Sequence, residues 1–394
     1  SLLLAIVYHF VFYFFAYGPP ISILHRPYKF FLAIGSSLIM IFLYFGTYWR
    51  IDLRGNSIKW LYDLLVMWIF ICFFRSLIEI ESGREFKAYI FNNYMGLSLF
   101  PVLFFIVGVN VNYFFSVNKI LSIYFFLTAL ISILFVKYPE LQHFLLLLIF
   151  FIILTFPLRS NWGKIGILVI SIIVVVFSLT NRAEIIRFSI SYLIVILYYL
   201  LLYKKISKKL LYLIVFIILI LPAVSLYLGI HGQSVFQMMS GDETIGYSQL
   251  DPYADTRTFL YFEVFQDLRI NDAFLFGKGL NAAYYSETFE TFSRSVVEVG
   301  FLQLVLKTGI VGFVLYITVI VLSIIKALKK SSNLFIKTLG IMLSSYVLLL
   351  FIENIIAYNL LNVVIWLAIG MCNSEPLRKM SNKEIMNLFM NRKI

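Results

Sequence analysis

Long apolar runs recur along the whole chain and constrain its fold more than any other feature of the sequence. The runs from Leu145 to Phe156 and from Ile165 to Leu179 carry no charge, whereas strands of a membrane barrel would alternate over about ten residues. Only 13% of the residues are charged, which is too little to cover a water-facing surface. The soluble α/β enzyme classes and the disordered class are therefore excluded. The sequence predicts an all-α integral membrane protein.

Apolar runs of about 17–25 residues predict about 12 transmembrane helices. Most connections between them are short, but the stretch 231–294 has the composition of a soluble domain. The predicted organisation is spans 1–9 in residues 1–230, a large, partly helical loop at 231–295, a re-entrant or entry segment with spans 10–12 at 296–372, and a tail at 373–394. The candidate spans lie near residues 2–17, 30–49, 60–80, 89–109, 120–137, 140–157, 165–180, 183–203, 210–230, 309–326, 334–352 and 355–372.

The distribution of lysine and arginine predicts the orientation of the chain. Two short connections, at 204–209 and 326–337, carry four lysines each, and short basic loops mark the cytoplasmic side of a membrane protein. With these loops in the cytoplasm, the tail also lies there and the long loop before the tenth span is periplasmic. This orientation explains the net charge of +12, so we expect no nucleic-acid partner.

Cysteine and histidine are too sparse to predict a metal site or a disulfide framework. Cys72 and Cys372 both lie inside apolar runs, and the four histidines show no ligand spacing. No Walker loop, no glycine-rich dinucleotide turn and no aspartate-rich nucleotide-sugar motif is present. We therefore expect no metal and no cofactor, and any chemistry must use an activated substrate that is already in the membrane.

The long loop contains one amphipathic segment. Its apolar stripe predicts a helix from about Thr256 to Arg269 that lies on the bundle or in the membrane interface. Gly277-Lys278-Gly279 then predicts a turn. The stripe consists of Phe259, Leu260, Phe262, Val264, Phe265 and Leu268.

Two arginines are predicted to lie in the first turn of a helix. Asn181 is a good N-cap for the eighth span and Glu184 completes a capping box, so Arg182 directly follows the cap. Asp255 caps the loop helix in the same way, two residues before Arg257. Because the positive end of the helix dipole disfavours a cation, each arginine needs an anion nearby. Two such helix starts would together form a binding site for a phosphate or diphosphate. The alternative is two independent surface arginines, with Arg182 paired to Glu184 or to lipid headgroups.

Glu298 is the only acid in the apolar segment that leads into the tenth span. A carboxylate among valine and phenylalanine side chains is desolvated, which suits it to general-base chemistry. The alternative is a salt bridge to Arg294, four residues earlier on the same helical face. Arg75 and Glu79 in the third span have the same spacing and predict a structural ion pair. Lys307 is a buried or near-interface charge without a clear partner in the sequence.

Three ordered segments between Asp255 and Gly312 resemble the O-antigen ligase/polymerase superfamily. They are 255–259 (Asp-Thr-Arg-Thr-Phe), 271–280 (Asn-Asp-Ala-Phe-Leu-Phe-Gly-Lys-Gly-Leu) and 298–312, which ends in Gly-Ile-Val-Gly. They are similar to that family's loop-helix arginine, its glycine turn and its Gly-hydrophobic-hydrophobic-Gly segment, and Asn181-Arg182-Ala183 looks like a further element. The ligase branch carries histidine at the position of Glu298, so the chain is most similar to the Wzy-type polymerase branch.

The resemblance implies a GT-C-like membrane glycosyltransferase that polymerises lipid-linked repeat units into O-antigen or a related surface polysaccharide. An undecaprenyl-diphosphate-linked chain would be the donor and a second lipid-linked unit the acceptor, at the periplasmic face of the bacterial inner membrane. Arg182 and Arg257 would stabilise the diphosphate leaving group without a metal, and Glu298 would take the acceptor proton. The candidate substrate-binding residues are Arg187, Arg294 and Asn281.

Further expectations concern the stereochemistry of the reaction, the partners of the protein and two alternative functions. A single candidate carboxylate predicts inversion at the anomeric carbon, because a retaining route needs a second. A chain-length regulator and membrane lipids are the expected partners. One alternative is an O-antigen ligase that moves glycan to the lipid A core. The other is a non-enzymatic flippase for lipid-linked sugars, which would need charges deep in the bundle, whereas the charges of this chain concentrate on one face.

Overall fold

The chain folds mostly into helices. The computed structural model describes residues 58–80, 97–111, 153–177, 182–203, 207–230, 258–287, 292–356 and 360–389, with isolated residues between 35 and 48. Among these residues, three helices are long and apolar enough to cross a membrane, namely Lys59–Ile78, Gly300–Lys330 and Leu334–Phe351. They coincide with the spans predicted near 60–80, 309–326 and 334–352, so the helical membrane class agrees with the structure.

Four further helices coincide with predicted spans near 165–180, 183–203, 210–230 and 355–372. The predicted spans near 2–17 and 120–137, and most of those near 30–49 and 140–157, lie outside the described residues. The described elements are α1 (Lys59–Ile78), α2 (Phe105–Val109), α3 (Asn161–Phe177), α4 (Arg182–Leu202), α5 (Lys208–Ile230), α6 (Thr258–Ile270), β1 (Tyr284–Ser286), β2 (Phe292–Arg294), α7 (Gly300–Lys330), α8 (Leu334–Ile352), α9 (Leu360–Asn373), α10 (Glu375–Lys379) and α11 (Asn382–Phe389), with 3-10 helices at Phe100–Phe104 and Phe156–Leu158.

Polar side chains cap the starts of several helices. The Ser160 hydroxyl accepts from the amide of Gly163 at the start of α3, and the Ser207 hydroxyl accepts from the amide of Leu210 at the start of α5. Asn333 caps α8 by accepting from the amide of Ile336 at 2.9 Å. These bonds satisfy backbone donors that the first helical turn leaves without a partner.

The described half of the span predicted near 89–109 is not one regular helix. Its first part is the 3-10 helix Phe100–Phe104 with Pro101 near its start, and the α-helix begins only at Phe105. This is a correction to the prediction, and proline explains it because its ring removes a backbone donor. The following α2 packs against α9 so closely that a Cβ atom added to Gly108 would collide with the carbonyl of Leu367. A Cβ atom on Gly370 would collide in turn with the carbonyl of Phe105.

The interior lies mainly between α7, α8 and α9. Trp366 on α9 is fully buried and packs edge-on against Tyr316 of α7 at 5.2 Å between ring centroids. The hydroxyls of Tyr316 and Tyr346 lie 2.9 Å apart, and Tyr346 also donates to the amide oxygen of Asn362 at 3.0 Å. This chain of hydrogen bonds joins all three helices through buried polar side chains.

The loop helix is confirmed, but its buried face differs from the predicted stripe. Helix α6 runs from Thr258 to Ile270, and Leu260, Val264 and Leu268 on one side are fully buried. Phe262, which was assigned to the same stripe, is 70% exposed. The reason is geometric: residues four apart share a face, whereas three-residue steps drift around the helix.

A short β-hairpin follows α6 and departs from the strictly all-α prediction. Strands β1 and β2 pair antiparallel, with Tyr284 opposite Arg294 and Ser286 opposite Phe292. Helix α6 packs against β1. The hairpin brings Arg294 back beside α6 just before the chain enters α7.

The opposite end of α7 holds the C-terminal tail. The ammonium of Lys326 donates to the side chain of Asn373 at 3.0 Å, and the Asn333 amide donates to the carbonyls of Leu377 and Met380 at 2.8 and 3.0 Å. The guanidinium of Arg159 lies 4.8 Å from the centre of the Phe389 ring. Residues predicted to be cytoplasmic thus gather at one end of the bundle, and the loop from α6 to Glu298 lies at the other.

Candidate functional site

Helix α7 is broken at Gly309, nine residues after its start. Gly309 has φ 70° and ψ −178°, a conformation that only glycine adopts readily. The break leaves the carbonyls of Leu306, Lys307 and Thr308 and the amides of Ile310 and Val311 without helical partners. Each such group would cost about 1–3 kcal/mol if buried without a hydrogen bond. The break therefore needs partners from elsewhere in the chain.

The glycine turn at 274–279 supplies most of those partners. The amides of Lys278 and Gly279 donate to the carbonyls of Leu306 and Lys307 at 2.9 and 3.1 Å. In the opposite direction, the amides of Ile310 and Val311 donate to the carbonyls of Phe274 and Leu275 at 3.0 and 3.2 Å. Gly277 and Gly279 have positive φ, as the predicted turn requires. We call this set of contacts between 274–279 and 306–311 the turn–break junction.

Two side chains of α1 complete the turn–break junction. The indole of Trp68 donates to the carbonyl of Thr308 at 2.9 Å. The guanidinium of Arg75 donates to the carbonyls of Phe276 and Gly277 at 3.2 and 2.7 Å. The predicted ion pair between Arg75 and Glu79 is wrong, because Arg75 is directed to the turn and the salt bridges among the described residues do not include that pair. A distant backbone partner cannot be recognised from sequence spacing.

The segment that enters α7 is fixed by amide side chains. Gln303 accepts from the amide of Val297 at 2.6 Å and donates to the carbonyl of Ser295. Asn354, in the connection after α8, donates to the carbonyl of Val297 at 2.8 Å. The chain is therefore held in a non-helical form up to Val299, and the helix begins at Gly300.

Glu298 lies in this non-helical segment, and its surroundings differ from the predicted ones. Its side chain is 43% exposed and forms a salt bridge with Arg294 at 3.6 Å. The expected desolvated carboxylate is thus wrong, and the alternative ion pair is present, although residues 294–298 are not helical as that alternative assumed. The reason is that the chain bends here before the helix begins, so Glu298 does not lie on a buried helical face.

A second acid near this segment was not singled out in the sequence. Glu263 on α6 is only 8% exposed and accepts from the hydroxyl of Ser286 at 2.7 Å. Burial raises the pKa of the Tyr284 phenol, the charge of Arg294 lowers it, and the charges of Glu263 and Glu298 raise it. Both carboxylates and Arg294 are therefore within electrostatic reach of Tyr284. The only sequence cue was an acid within an apolar helical face.

The structure describes the remaining candidate site residues only in part. Arg182 begins α4 as predicted, but for Arg182 and Arg187 the description is confined to the backbone, and Arg257 lies outside the described residues. Tyr212, near the start of α5, donates to the carbonyl of Leu328 near the end of α7. Because α4 reaches α5 through a short connection and packs on α8, its start points away from the end of the bundle that holds the C-terminal tail. The backbone amide of Asn281 donates to the Ser76 hydroxyl at 3.4 Å.

One charged residue lies deep in the bundle beside the helix break. Lys307 is 2% exposed, and its ammonium donates to the hydroxyl of Ser98 at 3.3 Å. It is an exception to the expectation that charges concentrate on one face. In the part of the chain that the structure describes, no group of three or more His, Cys, Asp or Glu residues is arranged to hold a metal ion.

Comparisons with known proteins add no family to this description. A scan against protein-family models found no match, and searches of the curated proteins and of the solved structures found none either. A function for the chain must therefore be argued from its own residues.

Proposed function

We propose that this protein polymerises undecaprenyl-diphosphate-linked oligosaccharide repeat units into O-antigen or a related surface polysaccharide. The observation that carries the proposal is the turn–break junction, because it joins two of the three segments in which the resemblance to the O-antigen ligase/polymerase superfamily lies. The turn at 274–279 and the segment ending in Gly309-Ile-Val-Gly312 are 30 or so residues apart in the chain, yet they share four backbone hydrogen bonds. Both segments also adjoin the entry to α7, where Glu298 lies.

The proposed reaction takes place at the periplasmic face of the inner membrane. Glu298, whose side chain is 43% exposed, accepts the proton of the acceptor hydroxyl while that oxygen attacks the anomeric carbon of the donor. The bond to the diphosphate oxygen breaks, and Arg182 and Arg257 stabilise the charge that develops on the leaving polyprenyl diphosphate. Arg294 orients Glu298 through their salt bridge. Arg187 and Asn281 contact the sugars or the phosphates.

The stereochemical part of the proposal is inversion in a single displacement. Glu263 is a second carboxylate in this region, but it is buried and accepts from Ser286, which favours a structural role over attack on a sugar. Glu263→Gln should therefore preserve the anomeric configuration of the product and some activity. A retained configuration in the wild-type product, read by NMR of the anomeric proton, would make a double displacement necessary.

Complementation of a deletion strain tests the site. Arg182→Ala, Arg257→Ala and Glu298→Gln, made singly, should each remove the ladder of long polysaccharide chains at normal expression. Lys383→Ala, in the exposed start of α11, is the matched control and should restore a full ladder. Wild-type ladders in the three site variants would disprove the assignment. A strain without the protein should keep single-repeat products; loss of all glycan from the lipid A core would indicate the ligase instead.

The buried Lys307 favours a second candidate, a flippase for lipid-linked sugars. Charges deep in a bundle and broken helices are typical of transport pathways, and Lys307 lies two residues from the break at Gly309. Purified protein in vesicles that contain a fluorescent lipid-linked sugar distinguishes the flippase from the polymerase. Transfer of the sugar between leaflets without any acceptor would support the flippase, and leaflet asymmetry that persists would support the polymerase.

A further inference from the structure

An exposed apolar surface surrounds the end of α6 and the first half of the glycine turn. Phe274, Leu275 and Phe276 are consecutive and all exposed, and Ile270 and Phe262 on α6 are exposed as well. We call these five residues the apolar lip. Large apolar side chains in such a cluster are costly in water and mark a contact surface. Their position at the outer end of the bundle places them outside the three candidate spans.

A cleft opens within the apolar lip. It has a volume of about 520 Å³ and is lined by Phe265, Leu268, Arg269, Asp272, Phe274 and Leu275. This volume lies in the range of about 300–1,000 Å³ that is usual for small-ligand sites. Arg269 and Asp272 bring one positive and one negative charge to the cleft, and neither takes part in a salt bridge among the described residues.

The apolar lip is continuous with an exposed apolar stripe on α1. The exposed apolar side chains of α1 form a single stripe along this candidate span, at Trp60, Leu64, Met67, Ile71, Phe74 and Ile78. Trp68 lies beside that stripe, and its ring packs against Phe276 at 5.8 Å between centroids. The turn–break junction fixes this arrangement, because Arg75 of α1 binds the carbonyl of Phe276. The lip therefore extends the exposed apolar side of α1 into the loop.

We propose that the cleft binds a zwitterionic glycerophospholipid of the surrounding bilayer. One acyl chain lies against Phe265, Phe274 and Leu275. The lipid phosphate pairs with Arg269 and the ammonium of the headgroup pairs with Asp272, so the two charges of the cleft match the two charges of the lipid. The bound lipid anchors the loop at the membrane surface, whether or not the proposed polymerase activity is correct.

Spin-label accessibility tests the contact with lipid. The native Cys72 and Cys372 are both fully buried, so a cysteine introduced at the surface is labelled selectively. In bilayers that contain phosphatidylethanolamine, a label at Leu275→Cys should collide with oxygen several-fold more, relative to a water-soluble nickel chelate, than a label at Tyr285→Cys. Tyr285 on β1 is the matched control because it is similarly exposed but lies outside the lip.

Two outcomes of this measurement would overturn the proposal. Equal collision ratios at both positions would mean that the lip faces water. Low accessibility of Leu275→Cys to both reagents would mean that another segment of the protein covers the lip. Phe262→Cys, which lies on α6 away from the turn–break junction, gives the same information if the first variant does not fold, and it is expected to behave as Leu275→Cys does.

Lipid retention tests the headgroup assignment. Native mass spectrometry of protein released from nanodiscs with equal phosphatidylethanolamine and phosphatidylglycerol should show retained phosphatidylethanolamine. Arg269→Gln and Asp272→Asn should each lower this preference several-fold, whereas Lys379→Gln, in an exposed ion pair at the opposite end, should leave it unchanged. Equal retention of both lipids by the wild type, or unchanged preference in both cleft variants, would overturn the assignment.

Discussion

At the scale of single residues, Gly309 determines how the loop and the bundle meet. A Cβ atom added there would collide with the carbonyl of Leu275, and φ of 70° is unfavourable for any L side chain. The neighbouring Gly277 is under the same restriction, since its Cβ would lie 2.5 Å from the amide nitrogen of Gly309. Glycine at both positions lets the two backbones approach within hydrogen-bonding distance.

Gly309→Ala should destabilise the protein by about 1–3 kcal/mol from the backbone conformation alone, and by more once the collision with Leu275 is included. Thermal unfolding in detergent measures the effect as a lower Tm. Gly166→Ala is the matched control, because Gly166 lies in α3 and an added Cβ meets no atom within 4 Å. Alanine is the better helix former there by about 1 kcal/mol, so the control should unfold at the same or a higher temperature. Equal stability of the two variants would contradict the strained conformation of Gly309.

The predictions for single residues succeeded where the local pattern decides the outcome. The turn at Gly277–Gly279 could be predicted because glycine pairs of this kind mark positive φ. The exposure of Glu298 could not be predicted, because it depends on where the helix begins. Gln303 and Asn354 bind the preceding segment, and the helix begins only at Gly300. Arg75 was misassigned for a related reason: its partners are backbone carbonyls in a loop some 200 residues away.

At the scale of elements, the connection between α7 and α8 is the anchor of the C-terminal tail. Asn333 is fully buried and uses both ends of its amide, capping α8 and holding the carbonyls that precede α11. The amide of Leu334 also donates to the side chain of Asn382 at 2.7 Å. The short helices α10 and α11 are thus attached to the bundle by polar bonds as well as by the buried Ile385 and Leu388.

Asn333→Ala should cost about 2 kcal/mol, because it removes a helix cap and leaves buried carbonyls without donors. We expect a lower Tm in detergent and faster cleavage of the tail by a protease at low concentration. Asn271→Ala is the control, since Asn271 is exposed and its bonds to Asp267 are local. Cleavage of the tail at the wild-type rate in Asn333→Ala would show that the apolar contacts of α11 alone hold it.

Helix α6 shows how much of an element can be predicted from the periodicity of its apolar residues. Its existence and its bounds were predictable to within two residues, because an apolar stripe in a polar loop is a strong pattern. Its orientation could not be predicted, since the segment carries apolar residues on more than one face and packing against β1, α5 and α7 selects among them. The side that was misassigned is the one that carries Phe262 of the apolar lip.

At the scale of the whole molecule, the described contacts sort the chain into two ends. Arg159, Lys326 and the tail gather at one end, and the hairpin, the turn–break junction and Glu298 gather at the other. The prediction of orientation from loop lysines assigns the first end to the cytoplasm. The helical class could be predicted because composition alone excludes soluble folds, whereas the number of spans depends on segments outside the described residues.

Single cysteines test this orientation in intact cells. A membrane-impermeant maleimide should label Gln266→Cys, on the exposed side of α6, from the periplasm, and should label Lys383→Cys only after the inner membrane is permeabilised. The wild type is the control and should remain unlabelled, because both native cysteines are buried. Labelling of Lys383→Cys before permeabilisation, with Gln266→Cys protected, would invert the topology and exclude a periplasmic active site.

The contact between α2 and α9 has a mechanical consequence. Gly108 and Gly370 bring the two main chains together with no side chain between them. Side chains at an interface can change rotamer and let one helix slide past another, but bare peptide groups offer no such adjustment. We therefore expect these two helices to move as one piece in any rearrangement of the bundle.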